Sequence, residues 1–418
     1  MSKLREIIFS NNSSKQILFK NTFWLSFVEV SSKLIMFFVT IWIVRYLGPS
    51  LFGKYNVAIS LVSVFTIFSD LGVGFVMTRD IAKNKNVSSE YLSNTFGIRI
   101  FTTIFIILIS LIASIFIHDS ELVIIFLLAI IHNSILQFQG LINNVLVAHE
   151  KMEYIFVVKI FYYLGLLLST FIVVNFKINL SILLILYCLV TVFSIFIALI
   201  ILSKLKIQIK ISFNFLFWKK IIIQSLPIFG FIACSQIYSN VDTLLIRNFY
   251  NNESVGLYQS AYKILFAFQS INIINSVLFP RITSLIHNDK PDSLNKITNW
   301  VVIFSLLIIV PTAIIISIFS SQIISLIYGH QYNNASTILT LLIWSGVFNY
   351  FRVMSTNFLM AKEKQNKIFF AMLIGLIVNI ILNVTLLPKY GVIFAAINLV
   401  LTEAIILFLT IYFQKNNK

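Results

Sequence analysis

Long apolar runs alternate with short polar breaks along the chain, and each run approaches the ~20 residues that an α-helix needs to cross a bilayer. Dividing it at the breaks predicts twelve spans, at 21–44, 52–76, 96–117, 122–147, 154–174, 180–202, 221–246, 256–279, 300–319, 335–360, 367–387 and 392–413. The expected fold is an all-α polytopic membrane protein. Trp24 and Trp42 bracket the first span at a separation suited to the two membrane interfaces. That span does not read as a signal peptide: it is too long, Glu29 and Lys33 interrupt it, and no small-residue cleavage site follows.

The spans repeat. Gly53-Lys54-Tyr55-Asn56-Val57-Ala58 returns as Gly256-Leu257-Tyr258-Gln259-Ser260-Ala261, each after an arginine, Arg45 or Arg247, that closes an apolar run. Leu146-Val147-Ala148-His149-Glu150-Lys151 returns as Leu359-Met360-Ala361-Lys362-Glu363-Lys364. Both pairs appear in the same order at similar offsets, which predicts two related six-helix bundles. The expected division is an N-terminal bundle over 1–202, a basic linker over 203–220 and a C-terminal bundle over 221–418. Internal two-fold repeats in a membrane protein point to a transporter whose substrate site lies between the halves.

Composition narrows the function classes. With 59% hydrophobic residues, 11% charged and 41 phenylalanines, the chain is not a soluble domain. The net charge of +16, which in a soluble chain would suggest nucleic acid, does not do so here, because the basic residues sit in the breaks between spans, where they face anionic headgroups. Placing the N-terminus in the cytoplasm assigns 22 lysines and arginines to that side. Only Arg45, Lys54, Lys177, Arg247 and Lys389 fall on the other. Both termini are then expected inside, with Ser203 to Lys220 lying on the inner leaflet. Cys188 and Cys234 lie within spans and imply neither a disulfide framework nor a metal site.

Ionisable groups within spans mark pathways, partners or snorkelling positions, because burying them is costly. Two readings are open at Lys33: an ion pair with Glu29 one turn away, or a place on a water-filled cavity facing an anion. Arg352 has no carboxylate within four residues, which favours a cavity role. Lys263 and Arg99 suit either snorkelling or a cavity. Glu403 is a candidate proton carrier, or a neutral acid bonded to a neighbouring helix. His132, Gln139 and Asn143 share one face of the fourth span, as sugar-binding groups or as interhelical glue. Asn379 with Asn383, and Asn398 with Thr402, offer oxygens to a hard cation. Pro227, Pro311, Gly230 and Gly346 are candidate bend points. No catalytic set, metal motif or phosphate loop is present.

Several strings together resemble a known family. Arg45-Tyr46-Leu47-Gly48-Pro49 with Gly53-x-Tyr55, Asp70-Leu71-Gly72 and Thr78-Arg79-Asp80-Ile81-Ala82 resemble the opening of the Wzx-type O-antigen flippases. Leu226-Pro227, Val241-Asp242, Gly256-x-Tyr258-x-x-Ala261 and Pro388-Lys389-Tyr390-Gly391-Val392-Ile393-Phe394-Ala395-Ala396 continue the pattern along nearly the whole chain. The wider superfamily also holds drug antiporters and lipid II flippases. The resemblance implies two six-helix bundles around a cationic cavity that moves an undecaprenyl-diphosphate-linked oligosaccharide, such as an O-antigen or capsule repeat unit, to the periplasmic leaflet of the bacterial inner membrane. Membrane lipids, a polysaccharide polymerase and chain-length proteins are the implied partners, with no cofactor beyond H+ or Na+ as coupling ion. Lys33, Arg352, Lys263, Arg99, Gln139 and Asn143 would line the cavity. Some relatives hold sodium with an aspartate on the seventh helix and polar groups on the last two, matched here by Asp242, Asn379, Asn383 and Thr402, although Asn383 stands where a carboxylate is expected. The alternatives are a multidrug antiporter, whose cationic substrates Lys33 and Arg352 would repel, and a polytopic polymerase or glycosyltransferase, which needs a larger outer loop than this chain has.

Overall fold

A computed structural model describes residues 14–288 and 291–415. Lys3, Arg5, Lys290 and Lys418, which enter the charge count, lie outside the described residues. Among the described residues eleven helices are long and apolar enough to cross a membrane. The first, α1 (Ser14–Asp70), holds two of the expected spans. Its apolar part, Phe19–Asp70, has 52 residues and would extend roughly 78 Å if straight, far beyond one bilayer. The helix is broken at Gly48, where φ is 69° and ψ 171°, a conformation that L side chains avoid. Pro49 adds to the break, since the residue before a proline is driven out of the α region.

The second span ends earlier than hydropathy predicts. Leu71 and Gly72 both take left-handed conformations, with φ of 49° and 74°, so α1 stops at Asp70 and a short amphipathic helix, α2 (Val73–Lys83), follows. Val73 and Val76, which had extended the span, are instead buried on this helix together with Met77. Next come α3 (Ser88–Ile115), α4 (Ser120–Ala148), α5 (Met152–Asn175) and α6 (Leu180–Lys204). The chain continues through α7 (Phe215–Phe249), α8 (Asn252–Gln269) and α9 (Ile273–His287), the last two separated by a 3-10 turn at Ser270–Asn272. A π turn at Ser305–Ile309 joins α10 (Pro291–Phe304) to α11 (Val310–Ile318), immediately before Pro311, as expected where proline removes a ladder hydrogen bond. The expected outer loop after residue 319 is itself helical, α12 (Ser320–Tyr328). Last are α13 (Ala335–Ala361), α14 (Gln365–Tyr390) and α15 (Val392–Lys415).

The helices group into two units. One comprises residues up to Tyr46 and Leu61–Ala233, the other Leu47–Ser60 and the chain from Cys234 on. In the first unit α4 packs against α2, α3 and α6. Its core includes Met77, Ile81, Leu92, Ile142, Val145 and Ile201. Residues 206–214 run beside α3: the Gln208 and Lys210 amides donate to Ser89 Oγ and Ser93 Oγ at 3.1 and 2.9 Å, and Ile207 is buried. In the second unit α13 packs against α8, α9 and α15, and it is the most enclosed of the candidate spans. Gly53 and Gly256, the matching glycines of the sequence repeat, meet within this unit. A Cβ on Gly53 would fall on the Asn252 carbonyl oxygen, and one on Gly256 on that of Pro49. Both cysteines are free.

Candidate functional site

The second unit contains a connected set of polar side chains among apolar helices. It begins on α7, where Tyr238 and Asp242 are one turn apart and both buried. Asp242 Oδ2 accepts a hydrogen bond from the Tyr258 hydroxyl at 2.9 Å, and Oδ1 accepts one from Asn383 Nδ2 at 2.7 Å. Asn383 Nδ2 also reaches Asn379 Oδ1 at 3.2 Å, and Asn398 Nδ2 donates to the Asn379 carbonyl oxygen at 2.9 Å. On α15, Thr402 Oγ1 lies 2.9 Å from the Asn398 carbonyl oxygen and 3.0 Å from the Tyr238 hydroxyl. Thus the aspartate of the seventh span is joined to the asparagines and threonine of the last two.

The same hydroxyl leads to an ion pair. Tyr238 Oη is 3.4 Å from Glu403 Oε1, which also accepts from Asn349 Nδ2 at 3.4 Å, and Glu403 Oε2 receives Arg352 Nε at 2.7 Å. Arg352 is therefore not unpaired, as its lack of a nearby carboxylate in sequence suggested. Its partner is on another helix, with side-chain exposures of 15% and 4%. The bond uses Nε, and the guanidinium's other contact among the described residues is a weak one from Nη1 to Met372 Sδ at 3.7 Å. The fork formed by Nη1 and Nη2 keeps most of its donors free. Asp242, Tyr238, Tyr262, Asn349, Arg352 and Glu403 line one cavity of about 100 Å³, to which Ser235, Ser239, Gln269, Met372 and Leu399 also contribute.

Buried oxygens without partners indicate what the Asp242 end accommodates. Asn383 Oδ1, whose amide nitrogen bonds the buried Asp242 carboxylate, and Asn398 Oδ1 are buried and unsatisfied. One carboxylate with neutral oxygens suits a hard monovalent cation, and among the described residues no group of three His, Cys, Asp or Glu offers a transition-metal site. Asn379 contributes differently from the sequence expectation. Its Oδ1 is already an acceptor and its Nδ2 is the unpartnered atom.

The remaining predicted residues lie elsewhere. Lys33 pairs with Glu29 at 3.5 Å, the within-helix reading, and both side chains remain accessible. Arg99 neither snorkels nor stands alone: it is buried, pairs with Asp70 at 2.5 Å and donates to Ser69 Oγ at 2.8 Å. Gln139 Oε1 and Asn143 Oδ1 are buried without partners on α4. His132 is 3.5 Å from the Tyr162 hydroxyl. Lys263 is half-buried on α8, next to the cavity-lining Tyr262. Lys20, which precedes the expected first span and enters the cytoplasmic charge count, is fully buried in α1 and pairs with Glu153 at 3.2 Å. Outside the apolar spans, burial raises the Asp80 carboxyl, but hydrogen bonds from Arg79 at 2.8 Å and Tyr91 at 3.1 Å outweigh it and hold the group below its ordinary range.

Sequence reasoning missed Tyr238, Asn349 and Tyr262. A signal existed for the first two, since Tyr238 precedes Asp242 by four residues and Asn349 precedes Arg352 by three, each on a shared helical face.

Comparison with known proteins places this geometry. The family described as polysaccharide biosynthesis protein matches residues 18–286, and that described as MatE matches residues 227–385. The chain is 23% identical over 407 residues to the capsular polysaccharide biosynthesis protein CapF of Staphylococcus aureus, covering 95% of this chain and 99% of that protein. It is 25% identical over 426 residues to a putative O-antigen transporter of Escherichia coli K12, covering 97% and 99%. Among solved structures, the inward closed conformation of the lipid II flippase MurJ superposes with a TM-score of 0.78 at 17% identity, covering 94% of this chain and 87% of that one, a likeness of fold. The chain belongs to the polysaccharide biosynthesis protein family, as a multi-pass membrane protein whose helical fold the MurJ structure shares.

Proposed function

We propose that the protein is a flippase for a lipid-linked oligosaccharide, moving an undecaprenyl-diphosphate-linked O-antigen or capsule repeat unit from the cytoplasmic to the periplasmic leaflet of a bacterial inner membrane. The observation that carries this reading is the family match over residues 18–286 in a chain whose enclosed helix α13 presents a guanidinium fork to a polar cavity. The full-length similarity to CapF and to the putative O-antigen transporter supports a surface glycan as cargo. A diphosphate in a partly desolvated site is held best by charge-assisted, bidentate hydrogen bonds, which Arg352 supplies. Lys263 is proposed to add positive potential along the path, Lys33 and Arg99 to line it as the charge-compensated pairs they form with Glu29 and Asp70, and Gln139 and Asn143 to offer amides to sugar hydroxyls. A polymerase and chain-length proteins would receive the product.

The proposed organisation is two six-helix halves joined by the basic segment 203–220, with both termini cytoplasmic. A reporter inserted within 203–220 is expected to signal the cytoplasm, and a periplasmic signal there would break this topology.

Resetting an empty carrier needs a bias, and a bound ion supplies one by its differential affinity for two states. Asp242, Asn383 and Thr402, with Asn379 beside them, are the proposed sodium set, and Glu403 the proposed proton carrier. Proteoliposome transport under a sodium gradient and a proton gradient applied separately distinguishes the two. Asp242→Asn is expected to slow turnover at least tenfold under the sodium gradient, and Glu403→Gln under the proton gradient. Wild-type rates for both variants under both gradients would remove ion coupling through these carboxylates.

A further inference from the structure

We propose that Tyr238 links cation binding at the Asp242 end of the cavity to anion binding at Arg352. This deepens the reading above and rests on it. The observation is one buried hydroxyl with two acceptors belonging to different sets. Thr402 Oγ1, 3.0 Å away, belongs to the cation set, and Glu403 Oε1, 3.4 Å away, to the ion pair that holds Arg352. Thr402's own proton has the Asn398 carbonyl oxygen at 2.9 Å, so its Oγ1 is free to accept from the phenol. A phenol carries one proton and serves one acceptor at a time.

The consequence follows from charge. A cation drawn to Asp242 and its neighbouring oxygens engages the Thr402 lone pair and repels the phenol hydrogen, which then turns to Glu403. A carboxylate that accepts another hydrogen bond shares its charge and holds the guanidinium less firmly, and in a buried site water does little to screen the difference. Arg352 is then freer to receive a phosphate through Nη1 and Nη2. Cation and anion therefore reinforce each other's binding, and linkage makes the effect reciprocal. A phenol that only fills space between α7 and α15 would affect stability and leave the two ligands independent.

The test uses the full chain in lipid nanodiscs with undecaprenyl diphosphate as the anionic probe. Its affinity is measured with sodium and with choline at equal ionic strength, and sodium affinity is measured with and without the probe. In the wild type each ligand is expected to tighten the other by the same factor, on the order of 5–20-fold. Tyr238→Phe should bring that factor close to one, whatever each separate affinity becomes. Glu403→Gln, which keeps the acceptor oxygen but not the charge, should bind the probe as sodium-loaded wild type does, with or without sodium, and it serves if Tyr238→Phe does not fold. Retention of the wild-type factor by both variants overturns the role of Tyr238 and leaves the site reading standing. A factor of one in a wild type that binds both ligands does the same. Failure of the wild type to bind sodium removes the sodium set and the link together, and failure to bind the probe removes the flippase reading as well.

Discussion

Arg352→Ala is expected to destabilise the protein by about 3–5 kcal/mol and to abolish glycan export, because it leaves the Glu403 carboxylate in a site where it is 3% exposed with two neutral donors 3.4 Å away. The stability loss and the transport loss have separate causes, and a second variant separates them. Arg352→Met combined with Glu403→Gln removes both charges while keeping an acceptor for Tyr238 and Asn349. That pair should recover most of the melting temperature in detergent, since exchanging a buried ion pair for neutral groups of similar volume is often close to neutral. It should remain inactive. Recovery of transport by the double variant would mean that the guanidinium does not contact the cargo.

The second large effect concerns backbone approach. Gly256→Ala or Gly53→Ala places a methyl group on a main-chain carbonyl oxygen, that of Pro49 or Asn252, which no change of rotamer relieves. The arm of α1 after Gly48 and helix α8 must then separate. The expected loss is about 3 kcal/mol, the upper end for overpacked interiors, and is read as a fall in melting temperature and in yield of folded protein. Gly140→Ala is the control. It is helical with nothing within 4 Å of the added atom, so gaining a better helix former should leave stability unchanged or raised by less than about 1 kcal/mol. Equal melting of Gly256→Ala and wild type would contradict the packing described.

Hydropathy alone carries most of the fold, because apolar length is what a bilayer selects. It does not register a local backbone break within apolar sequence, which is why the second span was expected to reach residue 76 and instead ends at Asp70 before the left-handed pair Leu71 and Gly72. The glycines of the repeated strings were visible as a repeat but not as a contact, since sequence similarity between Gly53 and Gly256 says nothing about where they meet. Asp242, Asn383 and Thr402 could be named together from sequence only because a family pattern connects positions far apart in the chain, and the structure joins them through hydrogen bonds. Arg352 and Glu403 were each singled out, yet assigned separate tasks. Their separation of 51 residues on different helices hides the pair from any rule of helical spacing. Arg99 and Asp70, 29 residues apart, escaped for the same reason.

The most direct measurement is the transfer of undecaprenyl-diphosphate-linked oligosaccharide between leaflets of proteoliposomes, followed by accessibility of the glycan to a membrane-impermeant lectin. Wild-type protein is expected to expose the glycan at a rate well above empty liposomes, Arg352→Lys to retain only part of that rate because an ammonium lacks the bidentate fork, and Arg352→Ala to match the empty liposomes. A wild type no faster than empty liposomes, or an Arg352→Ala variant as fast as wild type, would contradict the assignment of a lipid-linked glycan to this cavity.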